Sequence, residues 1–76
     1  MTKRMERYYA KRPVCENYKG WNIRTYVWND EYLGVVTDYI VNVNVGVEGC
    51  LANTLAGARA YVDAKIAEGK VQKEYV

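Results

Sequence analysis

The 76-residue chain contains no His, no Ser and no Phe, and only one Pro and two Cys. Each gap removes a class of chemistry. Without His or Ser, neither a Ser-His nor a Cys-His nucleophile pair can be assembled. Two thiols without imidazole cannot complete a four-ligand zinc site within one chain, and Cys15 and Cys50 form no C-x-x-C pair. The glycines follow neither the dinucleotide-binding nor the P-loop spacing. No run approaches the roughly 20 apolar residues of a membrane helix. The charged start is followed by no apolar segment that reads as a signal peptide. These absences predict a cytoplasmic, non-enzymatic protein with no metal, no cofactor and no membrane contact. Its two thiols are expected to be reduced rather than joined.

What is present is globular in kind. Apolar residues make up 50% of the chain and charged ones 26%, a composition that folds rather than one that stays disordered. The length allows a single small domain, which buries only about 60% of the surface its unfolded chain exposes. Eight Tyr and two Trp supply all the aromatic content. Each joins a large apolar body to a polar tip, which suits the edges of a thin core or an interface. The net charge of +2 is unevenly spread: residues 1–20 carry six basic and two acidic side chains, and the other 56 carry five and seven. A basic segment of this kind can follow a phosphate backbone or meet an acidic protein surface, or it can simply solubilise a terminus.

The clearest local pattern is Asn53 to Gly69. Leu55, Ala58, Val62 and Ile66 trace one apolar stripe at helical spacing, with Asn53 or Thr54 as N-cap and Gly69 as the closing residue. From Tyr18 to Trp28 the period changes to two. Trp21, Ile23, Thr25 and Val27 alternate with Asn22, Arg24, Tyr26 and Trp28, and Asn29-Asp30 reads as a turn. Tyr32 to Val45 is β-prone but longer than a usual strand, so a break is expected at Thr37-Asp38. Its second half alternates Val41, Val43 and Val45 with Asn42 and Asn44. Gly46 and Gly49 bracket a loop that leads through Leu51 into the helix. Near the start, Thr2 can act as a cap, and Met5, Tyr8 and Tyr9 then have a helical spacing that Pro13 ends. The expectation is one α+β domain over 1–76: a basic arm or short helix (1–13), a two- or three-stranded antiparallel meander (18–45) and a C-terminal helix (53–69). The valine face should pack on the helical stripe.

Acidic groups offer little for catalysis. Asp30, Glu31, Asp38, Glu48, Asp63, Glu68 and Glu74 are dispersed through turns and the polar helix face, where solvation accounts for them. Binding remains. The arm residues Arg4, Arg7, Lys11 and Arg12, with Arg24, Tyr26 and Trp28 on the sheet, form the candidate contact set. Arg and Asn can read base edges, and a sheet can enter a major groove. In its order of parts the chain resembles the arm-type DNA-binding domain of phage tyrosine recombinases, which implies DNA as one class of partner. The slightly acidic body opposes this, because phosphate neutralisation dominates such affinity.

Two segments, Tyr18-Lys19-Gly20-Trp21 and Thr54-Leu55-Ala56-Gly57-Ala58-Arg59-Ala60-Tyr61-Val62-Asp63, resemble a pattern of small phage and prophage proteins of unknown function. Those proteins have a strand that opens on Tyr-basic-Gly-aromatic and a helix reading Ala-Lys/Arg-x-x-Ile/Val-Asp. The resemblance implies a mobile-element origin and, by analogy, occlusion of one host protein in the manner of an inhibitor. An edge over Tyr39–Val45 is also expected to find a partner, including a second copy of the chain.

Overall fold

The structure is a computed structural model that describes residues 12–44 and 48–73. Among these residues four strands, β1 (Val14–Tyr18), β2 (Trp21–Asp30), β3 (Gly34–Asn44) and β4 (Glu48–Ala52), precede the helix α1 (Leu55–Ala67). The strands form an antiparallel meander in the order β1-β2-β3-β4, and α1 packs on one face. The α+β class and the C-terminal helix agree with the sequence. The strand count does not: among the described residues there are four strands, not two or three. The expected arm lies outside the described residues except for Arg12 and Pro13.

Three local features account for the difference, two adding a strand and one keeping a strand whole. Tyr18 ends β1 instead of opening β2, because Lys19 and Gly20 both take positive φ, 52° and 85°, and make a two-residue hairpin turn. The expected break at Thr37-Asp38 is absent, and β3 runs through it for 11 residues. Asp38 is buried there, accepting a hydrogen bond at 2.7 Å from the indole N–H of Trp28 on the neighbouring strand. A turn-forming residue is thus held in the sheet by a cross-strand partner. Lastly, Gly49 is not in a loop but inside β4, where a Cβ would lie 2.8 Å from the carbonyl oxygen of Val41. The strand approaches so closely that only glycine fits.

The β2–β3 turn falls two residues later than expected. Asn29 and Asp30 are still paired, and Glu31–Leu33 turn the chain, closed by Gly34 at φ 77°. The carboxylate of Asp30 accepts the backbone N–H groups of Tyr32 at 2.8 Å and Leu33 at 3.0 Å.

The core lies between sheet and helix. Trp21, Ile23, Val41 and Val43 pack on Ala58 and Val62, with Tyr18, Tyr39, Cys50, Ala52, Leu55 and Tyr61 around them. The valine face therefore meets the helical stripe as expected, although Ile66 at its end is partly exposed. The opposite face is not a bare row of amides, since Asp38, Ile40 and Asn42 are buried on it. Thr54 caps α1, its hydroxyl accepting the N–H of Gly57 at 3.0 Å, and Gly69 closes the helix at φ 80°.

Ion pairs fasten α1 on both flanks. Arg59 donates twice to Glu16, Lys19 and the Tyr18 hydroxyl donate to Asp63, and Lys65 donates to Glu48 at 2.9 Å. Beyond the helix, the main chain returns to the sheet. Lys73 donates to the Val43 carbonyl at 2.7 Å, so a short parallel bridge takes the place beside β3 that β2 has left.

Candidate functional site: the projecting hairpin

The strands differ in reach. Among the described residues β1 pairs with β2 as far as Val14↔Arg24, with one further bond from the Thr25 N–H to the Pro13 carbonyl at 3.0 Å, and β4 pairs with β3 as far as Tyr39↔Ala52. Among the described residues the β2–β3 ladder continues alone from Tyr26↔Asp38 to Asp30↔Gly34. At about 3.3 Å per residue, this two-stranded ribbon projects roughly 15 Å past its flanking strands. Helix α1 begins three residues after Ala52 and runs back toward Glu48, so it leaves the ribbon uncovered.

An unsupported hairpin is marginal in water, and this one is braced from within. The Trp28–Asp38 bond crosses its middle and Asp30 ties its turn. The two turn N–H groups also hold the Asp30 carboxyl below the usual range, which keeps it an acceptor. Pre-organisation of this kind lowers the ordering cost of binding.

The ribbon is apolar where it is most exposed. Tyr32 and Leu33 at the tip are 90% and 77% accessible, and Val27 and Val35 on the helix-side face are 58% and 71% accessible. Within the hairpin itself the charge has one sign: residues 25–58 contain no Lys or Arg, and Asp30 and Glu31 flank the tip, while Arg12 and Arg24 lie at the ribbon's base. Exposed apolar side chains rimmed by a few acids are a kind of surface that marks interaction sites.

The sequence-derived contact residues are placed differently. Arg24, Tyr26 and Trp28 share the face opposite the helix, and Arg12 joins them. The Arg12 guanidinium lies over the Tyr26 ring at 4.6 Å, and Arg24 donates to the Arg12 carbonyl at 2.5 Å. Trp28 is committed to Asp38. These groups are engaged with one another and half-buried. Arg4, Arg7 and Lys11 lie outside the described residues. The sequence reading passed over Tyr32, Leu33, Val27 and Val35, and a signal for them existed. Asp30-Glu31-Tyr32-Leu33-Gly34 is a turn with glycine at its left-handed position, which places two large apolar residues in the loop itself.

At the molecule's other end, Val43, Asn44, Glu48, Gly69, Lys70, Val71 and Lys73 line an open cleft of about 310 Å³. Its carboxylate, Glu48, is already matched by Lys65 and by Lys70 at 3.7 Å. Cys15 and Cys50 are free thiols, and burial pushes both upward in pKa, so neither is an activated nucleophile. Among the described residues no helix is long and apolar enough to cross a membrane. No protein-family model, curated protein or solved structure matches the chain.

Proposed function

We propose that this chain is a non-enzymatic protein-binding module that occludes its partner with the β2–β3 hairpin. The observation that carries the reading is a braced projection whose tip exposes Tyr32 and Leu33 almost fully. Large apolar side chains held in water contribute nothing to this fold, whereas burial in a partner's pocket gains about 1.5–3 kcal/mol for each. The acids at the tip favour a pocket rimmed by basic residues and speed encounter with it. The resemblance of Tyr18–Trp21 and Thr54–Asp63 to small phage and prophage proteins supports a mobile-element origin, and with it a host protein as the partner.

DNA binding is the second reading, favoured by the juxtaposition of Arg12, Arg24 and Tyr26 on one face. Salt and substitution separate the two. Occlusion should survive moderate salt and be lost in Leu33→Asp with the fold intact. DNA binding should fall steeply with salt and be indifferent to that substitution.

A further inference from the structure

The two outer edges of the sheet are unlike. The β1 edge is blunted, because Pro13 precedes the strand, a bulge at Cys15 interrupts its register, and Glu16 is paired with Arg59. The β4 edge is less guarded: no proline precedes it among the described residues, and the irregularity of its ladder lies on β3, between Asn42 and Asn44, not on the edge strand itself. Glu48–Ala52 contains no Pro, Lys or Arg, and its single charged side chain, Glu48, is turned to Lys65 on the helix. Among the described residues no strand pairs with the outer side of β4. Such an edge presents a row of unpaired backbone donors and acceptors, and what complements it is another strand. Tyr39–Val45, where the sequence suggested an edge, is instead interior as far as Asn44, with β4 on one side and, on the other, β2 as far as Ile40 and then Gln72 and Lys73.

We propose that the β4 strands of two copies pair antiparallel about a two-fold axis at Cys50, joining two four-stranded sheets into one of eight. The strand is self-complementary in this register. Gly49 of one copy stands opposite Leu51 of the other, on the face away from the helix, so the residue with no side chain receives the one that is 49% exposed. Glu48 stands opposite Ala52, which avoids like charges.

The helices do not collide. Gly57 lies beside Ala52, Lys65 reaches Glu48 and covers the Tyr61 ring, so this flank of α1 faces the β4 edge. Helix α1 is seated over β3 and β4 and, to a lesser extent, β2, so with strands about 4.8 Å apart it lies roughly 12 Å from its two-fold mate. That is just beyond the ordinary range for packed helices, about 8–10 Å, so only the long side chains of this flank meet across the axis. The axis is normal to the sheet, so the two hairpins point in opposite directions and both stay free. The proposal is independent of what those hairpins bind.

Cys50 reports on the register directly. In a two-fold antiparallel pair its two copies face each other with Cα atoms about 4.5–5.5 Å apart, inside the range a disulfide spans. Diamide takes two electrons and two protons from the pair of thiols, forming one S–S bond and a hydrazine product. The reaction is run at mildly alkaline pH, because burial raises the Cys50 thiol. The expected results are a dimer by light scattering, and a diamide-linked dimer in the wild type and in Cys15→Ser but not in Cys50→Ser. Leu51→Lys should weaken the dimer at least about tenfold while leaving the circular dichroism of the fold unchanged, because it sets a charge against the partner's backbone. Leu33→Asp should leave the dimer intact. A monomer at high micromolar concentration would overturn the proposal, and so would a dimer that links through Cys15 or resists linking at Cys50.

Discussion

Gln72 grips the backbone of Asn22 much as a neighbouring strand would. Its side-chain oxygen accepts the Asn22 N–H at 2.8 Å, and its amide nitrogen donates to the Asn22 carbonyl at 3.1 Å and to the Asn42 carbonyl at 2.8 Å. It fills the fork where β2 leaves β3, and the Lys73 bridge continues the repair along β3. A side chain thus satisfies three backbone groups at the end of a ladder.

Gln72→Ala should therefore cost about 1–3 kcal/mol, since partly buried backbone groups lose their partners. Gln72→Glu should be worse at neutral pH, because a carboxylate faces two carbonyl oxygens, and should partly recover when acid protonates it. Urea midpoints of the three proteins at neutral and acid pH decide this. Equal midpoints for wild type and Gln72→Ala would reduce the bridge to decoration.

Acid should loosen the helix from the sheet. Glu16 is held below the ordinary carboxylate range by a hydrogen bond from Arg59, Glu48 by one from Lys65, and Asp63 by one from Lys19. A carboxyl depressed in the folded state contributes stability that is complete above its unfolded pKa and is lost as pH falls through its folded one. Stability should be level from neutral pH to about 5 and decline below about 4. The decline should be modest, because the pairs are exposed to solvent. Arg59→Met should make it shallower. Urea unfolding monitored at several pH values reads both effects, and a decline that begins near pH 6 would contradict the assignment.

Gly49→Ala is expected to destabilise by about 1–3 kcal/mol, the usual cost of forcing atoms into a packed position. The added Cβ would sit 2.8 Å from a backbone oxygen, which cannot rotate away. Gly20, by contrast, has open space around its missing Cβ and is constrained by its φ of 85° alone. Thermal unfolding of the two alanine variants should separate a steric cost from a conformational one.

Trp28→Phe removes a donor from the buried Asp38 carboxylate and should soften the ribbon as well as the fold. A loss of about 1.5–3 kcal/mol is expected for a bond to a charged acceptor. Hydrogen exchange at Val27 and Val36 should quicken more than at Ile23 or Val41 in the core. Uniform quickening would mean that the hairpin is not separately braced.

How much of this was legible in the sequence depends on the range of the interactions. The helix was readable at both ends because its cap, stripe and closing glycine are all local signals. The alternation of β2 was readable for the same reason, and so was the meeting of Val41 and Val43 with Ala58 and Val62. Asp38 misled because its favoured setting, a turn, was overridden by Trp28, ten residues earlier. Gly49 misled because a glycine demanded by a close approach looks the same as one demanded by a loop. The candidate contact set was drawn toward cations and aromatics on one sheet face, and the cations and aromatics resolved there proved engaged with each other or with Asp38. Exposure of Tyr32 and Leu33 depends on where the neighbouring strands stop, which no local pattern records.

The measurement that bears most directly on the central claim is quantitative binding to a partner protein captured on the wild-type chain, repeated with Tyr32→Ala, Leu33→Asp and Arg24→Ala. The account predicts that the two tip variants lose at least about tenfold in affinity, as hot-spot residues do, while Arg24→Ala changes little and moderate salt is tolerated. Full binding by Leu33→Asp, or capture that depends on Arg24 and disappears with salt, would contradict it.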